Sequence, residues 1–206
     1  MYLTRIDLDS HNRGLLRAVG DCQQLHQIIM RLFESDRKSA DVLYRVRKDS
    51  RMLAVYIYSN RAIDRERLLP GMNLAGQRDL TAWLDTMREG QNWSFDLLAS
   101  PTKKVMQDGR KNSQRRILRT MNERFAWLER KGTQNGFRLL YCKELEGGQM
   151  TGRHAQERGG QMYLDQYHYQ GVLQIIDAER FQLAVQRGIG PGKSYGLGML
   201  MLSQPS

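Results

Sequence analysis

Two residue periods alternate along this chain, and the order of their alternation repeats. Tyr2-Leu3-Thr4-Arg5-Ile6-Asp7-Leu8 switches between apolar and polar, the pattern of a half-buried strand. After Asp21, the residues Cys22, Leu25, Ile29, Leu32 and Phe33 return at helical spacing and predict one apolar helix face. Val42 to Val46 and Met52 to Tyr58, separated by the polar run Arg47 to Arg51, read as a hairpin. A loop with Pro70-Gly71, a helix on Leu80, Trp83, Leu84 and Met87, and a strand from Trp93 to Leu98 follow. The order βαββαβ then runs again. It uses a helix carrying Met121, Phe125, Trp127 and Leu128, strands at Phe137 to Cys142 and Tyr167 to Ile176, a helix from Asp177, and a last strand at Met199 to Leu202. The expected class is α+β, with two tandem ferredoxin-like (RRM-like) βαββαβ domains spanning 1–90 and 91–206. Each would be a four-stranded antiparallel sheet with two helices on one face. The Phe95 strand closes the first unit or opens the second.

Folds of this kind often bind RNA, but the aromatic stacking motif of an RRM is absent from the central strands. Charge supplies the better pointer. The 206 residues carry a net charge of +10, which favours a polyanionic partner, nucleic acid above all. Lys103, Lys104, Arg110, Lys111, Arg115, Arg116 and Arg119 stand against Asp108 alone between Pro101 and Arg119, a local excess of +6. With Gly109, Asn112 and Ser113 among them, the stretch 101–119 reads as a basic arm that contacts phosphates. No apolar run approaches membrane-spanning length, and Met1 to Ile6 lacks a signal-peptide pattern. Cys22 and Cys142 stand far apart without metal-knuckle spacing, so a reducing, cytoplasmic setting is expected.

The most unusual stretch is 188–198, with Gly188, Gly190, Gly192, Gly196 and Gly198 around Lys193, Ser194 and Tyr195. Such a loop can bring amides, an ammonium and a hydroxyl close to a phosphate. It is not a Walker A loop. Arg187 holds the place of that motif's first glycine, and a helix precedes the loop where a strand should. A nucleotide cofactor is therefore not expected. A helix C-cap followed by a tight turn explains the glycines equally well. Gly147 to Gly160 reads as a second glycine-rich, charged loop, with Arg153 and Arg158 available for RNA. His26 lies at the margin of its helix's apolar face, one turn from Cys22 and beside Gln23. It is a packing residue or a general acid/base. His11, His154 and His168 sit in loop-like or strand-edge positions.

These residues carry a resemblance. Met1-Tyr2-Leu3, Leu25-His26-Gln27 with Leu32-Phe33, Ala126 to Lys131, Gly171-Val172-Leu173 and Gly188 to Ser194 follow one another nearly end to end. In that order and spacing they resemble the CRISPR-associated endoribonucleases of the CasE type, found in type I-E systems. The resemblance implies tandem ferredoxin-like domains and metal-independent cleavage of CRISPR precursor RNA at the base of the repeat hairpin. The upstream 2′-OH attacks, leaving a 2′,3′-cyclic phosphate, and the protein stays on the mature guide RNA as a subunit of the Cascade complex. The family's catalytic histidine falls on His26. Some members have a tyrosine three residues earlier, where this chain has Gln23, and Tyr195 could replace it in space. Lys193 is the candidate phosphate stabiliser. Gly190, Gly192 and Ser194 join the RNA-binding candidates. The alternative is a catalytically weak or inactive subunit that binds the same hairpin.

Overall fold

A computed structural model describes residues 1–33, 41–49, 52–105, 114–153 and 160–205. Strand β1 (Tyr2–Leu8) follows the alternation read from the sequence, with Ile6 and Leu8 turned inward. Two short helices follow in place of one. In α1 (Arg13–Val19) the N-cap Asn12 accepts from the Leu15 amide. In α2 (Cys22–Arg31) the N-cap Asp21 accepts from the amides of Gln23 and Gln24. Each cap satisfies amides that the helix start leaves open. The hairpin of β2 (Leu43–Lys48) and β3 (Leu53–Ser59) comes next. A 3-10 turn, Arg65–Arg67, then leads to β4 (Met72–Asp79). The first sheet has the order β2-β3-β1-β4, all antiparallel.

Here the structure departs from the expectation. Strand β4 lies where a loop was expected, because only Met72 and Leu74 of its exposed edge turn towards the core and leave little periodicity. The helix expected on Leu80 to Met87 shrinks to α3 (Thr81–Leu84) and follows that strand. The strand around Phe95, β5 (Asn92–Ala99), opens the second half.

The second half continues with the ribbon β6 (Thr102–Val105) and β7 (Gln114–Ile117). Then come α4 (Met121–Gln134), β8 (Phe137–Arg153), β9 (Gln161–Ile175), α5 (Ala178–Arg187) and β10 (Leu200–Ser203). Its sheet has the order β10-β5-β9-β8, again antiparallel. Helix α4 starts on a full capping box, with Thr120 and Glu123 satisfying each other's amides. Where a loop was expected from Gly147 to Gly160, the described residues 147–153 are instead strand, paired as far as Arg153 opposite Gln161, and 154–159 lie outside the described residues. Glycine hid the pattern, since a strand without side chains shows no apolar period.

Two cores result. Ile6, Leu25, Ile29, Tyr44 and Ile57 fill the first, and each buried aliphatic side chain there contributes about 1.5–3 kcal/mol. Phe95, Leu97, Trp127, Phe137, Tyr169, Leu173 and Phe181 fill the second, which also takes in Leu43, Tyr58, Leu84 and Met87. The halves are thus packed against each other. Across their junction Arg45 meets Asp96 at 2.9 Å, and Asp96 also lies 2.9 Å from His168 Nε2 and accepts from Gln170 at 2.9 Å. Burial opposes the Asp96 charge, but Arg45, Gln170 and His168 outweigh it and leave its carboxyl below the usual range. His168 therefore belongs to a central strand and a half-buried network, not to a strand edge.

Candidate nucleic-acid interface and acid/base pair

Helix α5 ends at Gly188, whose amide donates to Ala184 at 2.8 Å. The loop that follows folds back on itself. Ile189 N donates to Gly198 O at 2.8 Å, and Gly198 N to Leu98 O at 2.7 Å. Gly198 has φ +82, and a Cβ there would lie 2.5 Å from the Ile189 carbonyl oxygen, so only glycine closes this loop. Gly190 brings the backbone against Trp127, where a Cβ would meet the ring at 3.0 Å. The amides of Ile189, Tyr195, Leu197 and Gly198 are taken up by carbonyls within or beside the loop. The glycines chiefly serve close packing, and those amides are not left for a phosphate.

Lys193–Tyr195 forms a 3-10 turn between Gly192 and Gly196, both left-handed. Tyr44, buried in the first core, donates its hydroxyl to Ser194 O at 3.1 Å and holds the turn. Burial, with Cys22 and Tyr195 nearby, pushes the Tyr44 hydroxyl far above its ordinary value, so it stays a donor. Held this way, Tyr195 lies beside α2, its ring centroid 6.1 Å from that of His26 at an edge-on angle of 68°. His26 is 6% exposed. Gln23 is half-buried at the start of the same helix. The hairpin reaches that helix too, since a Cβ on Gly152 would come 2.8 Å from Cys22 Sγ and 3.3 Å from Gln23 N. Arg153, next in sequence and exposed, stands on this side of the molecule. The structure therefore brings His26 and Tyr195 together, with Gln23 on the same helix. It does not place Arg153 among the residues lining the basic cavity described next.

The described part of the arm is a β-ribbon. Lys103 faces Arg116 and Lys104 faces Arg115 across its two strands. Like charges directly opposite destabilise a ribbon, and an anion between them reverses the sign. One carboxylate helps from within the chain, with Lys103 Nζ 3.2 Å from Glu123 Oε1. Beside the ribbon a cavity of about 570 Å³ is lined by Lys103, Lys104, Arg115, Arg130, Lys131 and Lys193, with Trp127, Gly190 and Pro191. Burial, then the neighbouring Arg130 and Arg115, lowers the Lys131 pKa. Burial, then Lys131 and Arg187, likewise lowers that of Lys193 against a smaller opposing effect of Asp41. Ammonium groups crowded like this repel one another, and a neighbouring anion would relieve that repulsion.

Arg116 and Arg119 are exposed at and just beyond the ribbon. Ser194 lines a separate surface pocket with Arg187 and Lys193. Arg110, Lys111, Arg158 and His154 lie outside the described residues. Among the described residues no group of three His, Cys, Asp or Glu side chains could hold a metal ion. Sequence reasoning missed Trp127, Arg130 and Lys131 as parts of the cavity. The dibasic pair was visible, but only the docking of α4 beside the glycine loop gives it a direction.

Comparison with known proteins bears on the family and the fold. The family model described as CRISPR associated protein matches residues 1–204. A curated relative, CRISPR-associated endoribonuclease Cse3 of Thermus thermophilus, is 32% identical over 126 residues. That alignment takes in 57% of this chain and 58% of the relative, so the chain spans somewhat over half the length of the curated relative it matches. A structure of CRISPR endoribonuclease Cse3 bound to 19 nt RNA superposes with a TM-score of 0.84 at 25% identity, covering 98% of this chain and 100% of that one. A chain of a CRISPR RNA-guided surveillance complex, pre-nicking, superposes at 0.72 and 25% identity over the whole of both. Matched almost throughout by the family's model, and similar over its length to a solved Cse3, the chain belongs to the CRISPR-associated protein family.

Proposed function

We propose that this protein is an endoribonuclease that cuts CRISPR precursor RNA at the base of the repeat hairpin. The observation that carries the reading is a shared loop: Lys193 faces the cation-lined cavity while Tyr195, two residues on, faces His26. Phosphate binding and proton transfer thus meet on one short turn. The Cse3 structure bound to 19 nt RNA supports the substrate class. The likeness to a chain of an RNA-guided surveillance complex supports a place among Cascade subunits, in the cytoplasm where precursor RNA is found. The strand orders β2-β3-β1-β4 and β10-β5-β9-β8 support reading the halves as tandem ferredoxin-like units, over 1–90 and 91–206.

In the proposed reaction the 2′-oxygen upstream of the scissile phosphate attacks phosphorus in line. The P–O5′ bond breaks, a 2′,3′-cyclic phosphate forms, and the 5′-oxygen leaves as a hydroxyl. His26 carries the proton, either taking it from the 2′-OH or giving it to the 5′-oxygen, and needs no metal for either task. Gln23 holds the place where some family members carry a tyrosine, and Tyr195, 6.1 Å from His26 between ring centroids, supplies a phenol instead. Lys193 offsets charge on the non-bridging oxygens. Lys103, Lys104, Arg115 and Arg116, with Arg130 and Lys131, hold the stem's phosphates.

The test is a denaturing gel of the protein with its own repeat hairpin in EDTA, beside His26→Ala and Tyr195→Phe. Single-site cutting by wild type and none by His26→Ala supports the reading. Cutting that EDTA abolishes, or equal cutting by wild type and His26→Ala, sinks the mechanism. The burial of His26 at 6% exposure favours a second reading, an inactive hairpin-binding subunit. Tight binding with no cutting by any of the proteins selects it.

A further inference from the structure

The ribbon β6–β7 is a short exposed pair whose cross-strand neighbours repel each other. Something must nevertheless hold it against α4, because Lys103, Lys104 and Arg115 share one cavity with Arg130 and Lys131. At its base Leu118 N donates to Pro101 O at 3.1 Å and the Leu118 side chain is buried. The next contact is made by Arg124, in the first turns of α4. Its Nη1 donates to the carbonyl of Arg119 at 2.5 Å, at the point where the chain leaves the ribbon. Its Nε and Nη2 donate to the two oxygens of Glu144, on β8, at 2.8 and 2.5 Å. Its guanidinium lies 4.0 Å over the ring of Tyr167, on β9. The Arg124 and Glu144 side chains are 8% and 9% exposed, so neither is placed to meet a phosphate itself.

A planar fork is the only side chain that makes all these contacts at once. Lysine keeps the charge but loses the paired geometry and the stacking face. We infer that Arg124 is the positioning residue of the RNA interface, fixing the angle of the basic ribbon to α4 and the long hairpin so that their cations converge on one RNA backbone. The inference rests on the RNA-binding reading for its use, though its structural part does not need RNA.

The test uses the full-length protein and Arg124→Lys, with Glu144→Gln as the second variant should the first fail to fold. Hydrogen exchange without RNA is read first. Faster exchange in the ribbon amides, with α4 and α5 unchanged, is expected; unchanged ribbon exchange in a folded variant overturns the inference. Hairpin binding is then measured across a salt series. Loss of one phosphate contact, as in Lys104→Ala, lowers the slope of log K against log salt by about 1. Arg124→Lys, which touches no phosphate, should lower it by more than that, and raise KM for cleavage while leaving kcat unaltered. A slope equal to that of wild type also overturns the inference. A wild type that binds the hairpin without salt dependence, while the variant's ribbon exchanges faster, overturns the RNA reading and leaves the positioning contact standing.

Discussion

The seam between α2 and the glycine loop is a partly enclosed pocket lined by Cys22, Leu25 and Tyr195, whereas the β6–β7 ribbon is exposed and crowded with charge of one sign. His26 and Tyr195 meet in the first region, on a turn that Tyr44 holds through the Ser194 carbonyl. Lys103, Lys104, Arg115 and Arg116 stand in solvent in the second. On the proposed reading, the difference divides the labour. Proton transfer needs groups fixed to within fractions of an ångström and shielded from water. Phosphate contact needs only charge at about the right place, and it improves with number. Changes in the two regions should therefore move different observables.

The largest effect should come from His26→Ala, with cleavage falling by roughly 10²–10⁴-fold while the dissociation constant for the hairpin stays as it was. Single-turnover kinetics with a filter-binding series measure both. If binding falls along with the rate, the division between the regions fails. Gly198→Ala should rank next. With φ +82 and the Ile189 carbonyl oxygen 2.5 Å from the added Cβ, it should cost about 2 kcal/mol of stability, read from urea unfolding. Cleavage should suffer more than binding, because the loop carries Tyr195.

Lys104→Ala should weaken binding at low salt and reduce the salt slope by about 1, with saturated cleavage unaltered. An unchanged slope would remove the ribbon from the RNA interface. The smallest effect is on pH. Burial, then neighbouring cations, lowers the pKa values of Lys131 and Lys193, so a bound phosphate must raise them again. Between the free and bound values, binding takes up protons, and affinity falls as pH rises through the lowered lysine values towards the ordinary 10.5. Calorimetry in two buffers of different ionisation enthalpy should register that uptake in wild type and less of it in Lys193→Met.

How much could be read beforehand differs between the same two regions. The ribbon's charge was evident from composition, because seven cations close together leave few uses other than a polyanion. Its strand pairing was not, since Lys103-Lys104 and Arg115-Arg116 carry no apolar period. The extension of β8 and β9 was hidden in the same way by Gly147, Gly148 and Gly152. Strand β4 escaped because most of its residues face outward on a sheet edge. In the partly enclosed region, His26 was singled out by its place on the helix face, and Tyr195 only as one candidate among loop residues.

The sequence by itself determined strands β1, β2, β3 and β5, helices α2, α4 and α5, the basic balance and the glycine-dense loop, since all follow from local periods and counts. Which strand joins which half, and that Arg45, Asp96 and His168 form one network, were decided by tertiary structure alone. So were the 6.1 Å approach of Tyr195 to His26 and the gathering of six cations from ribbon, helix and loop. The physical reason is range. A period is written among neighbours, whereas a site is assembled from residues up to some 170 positions apart, and only packing sets their distance.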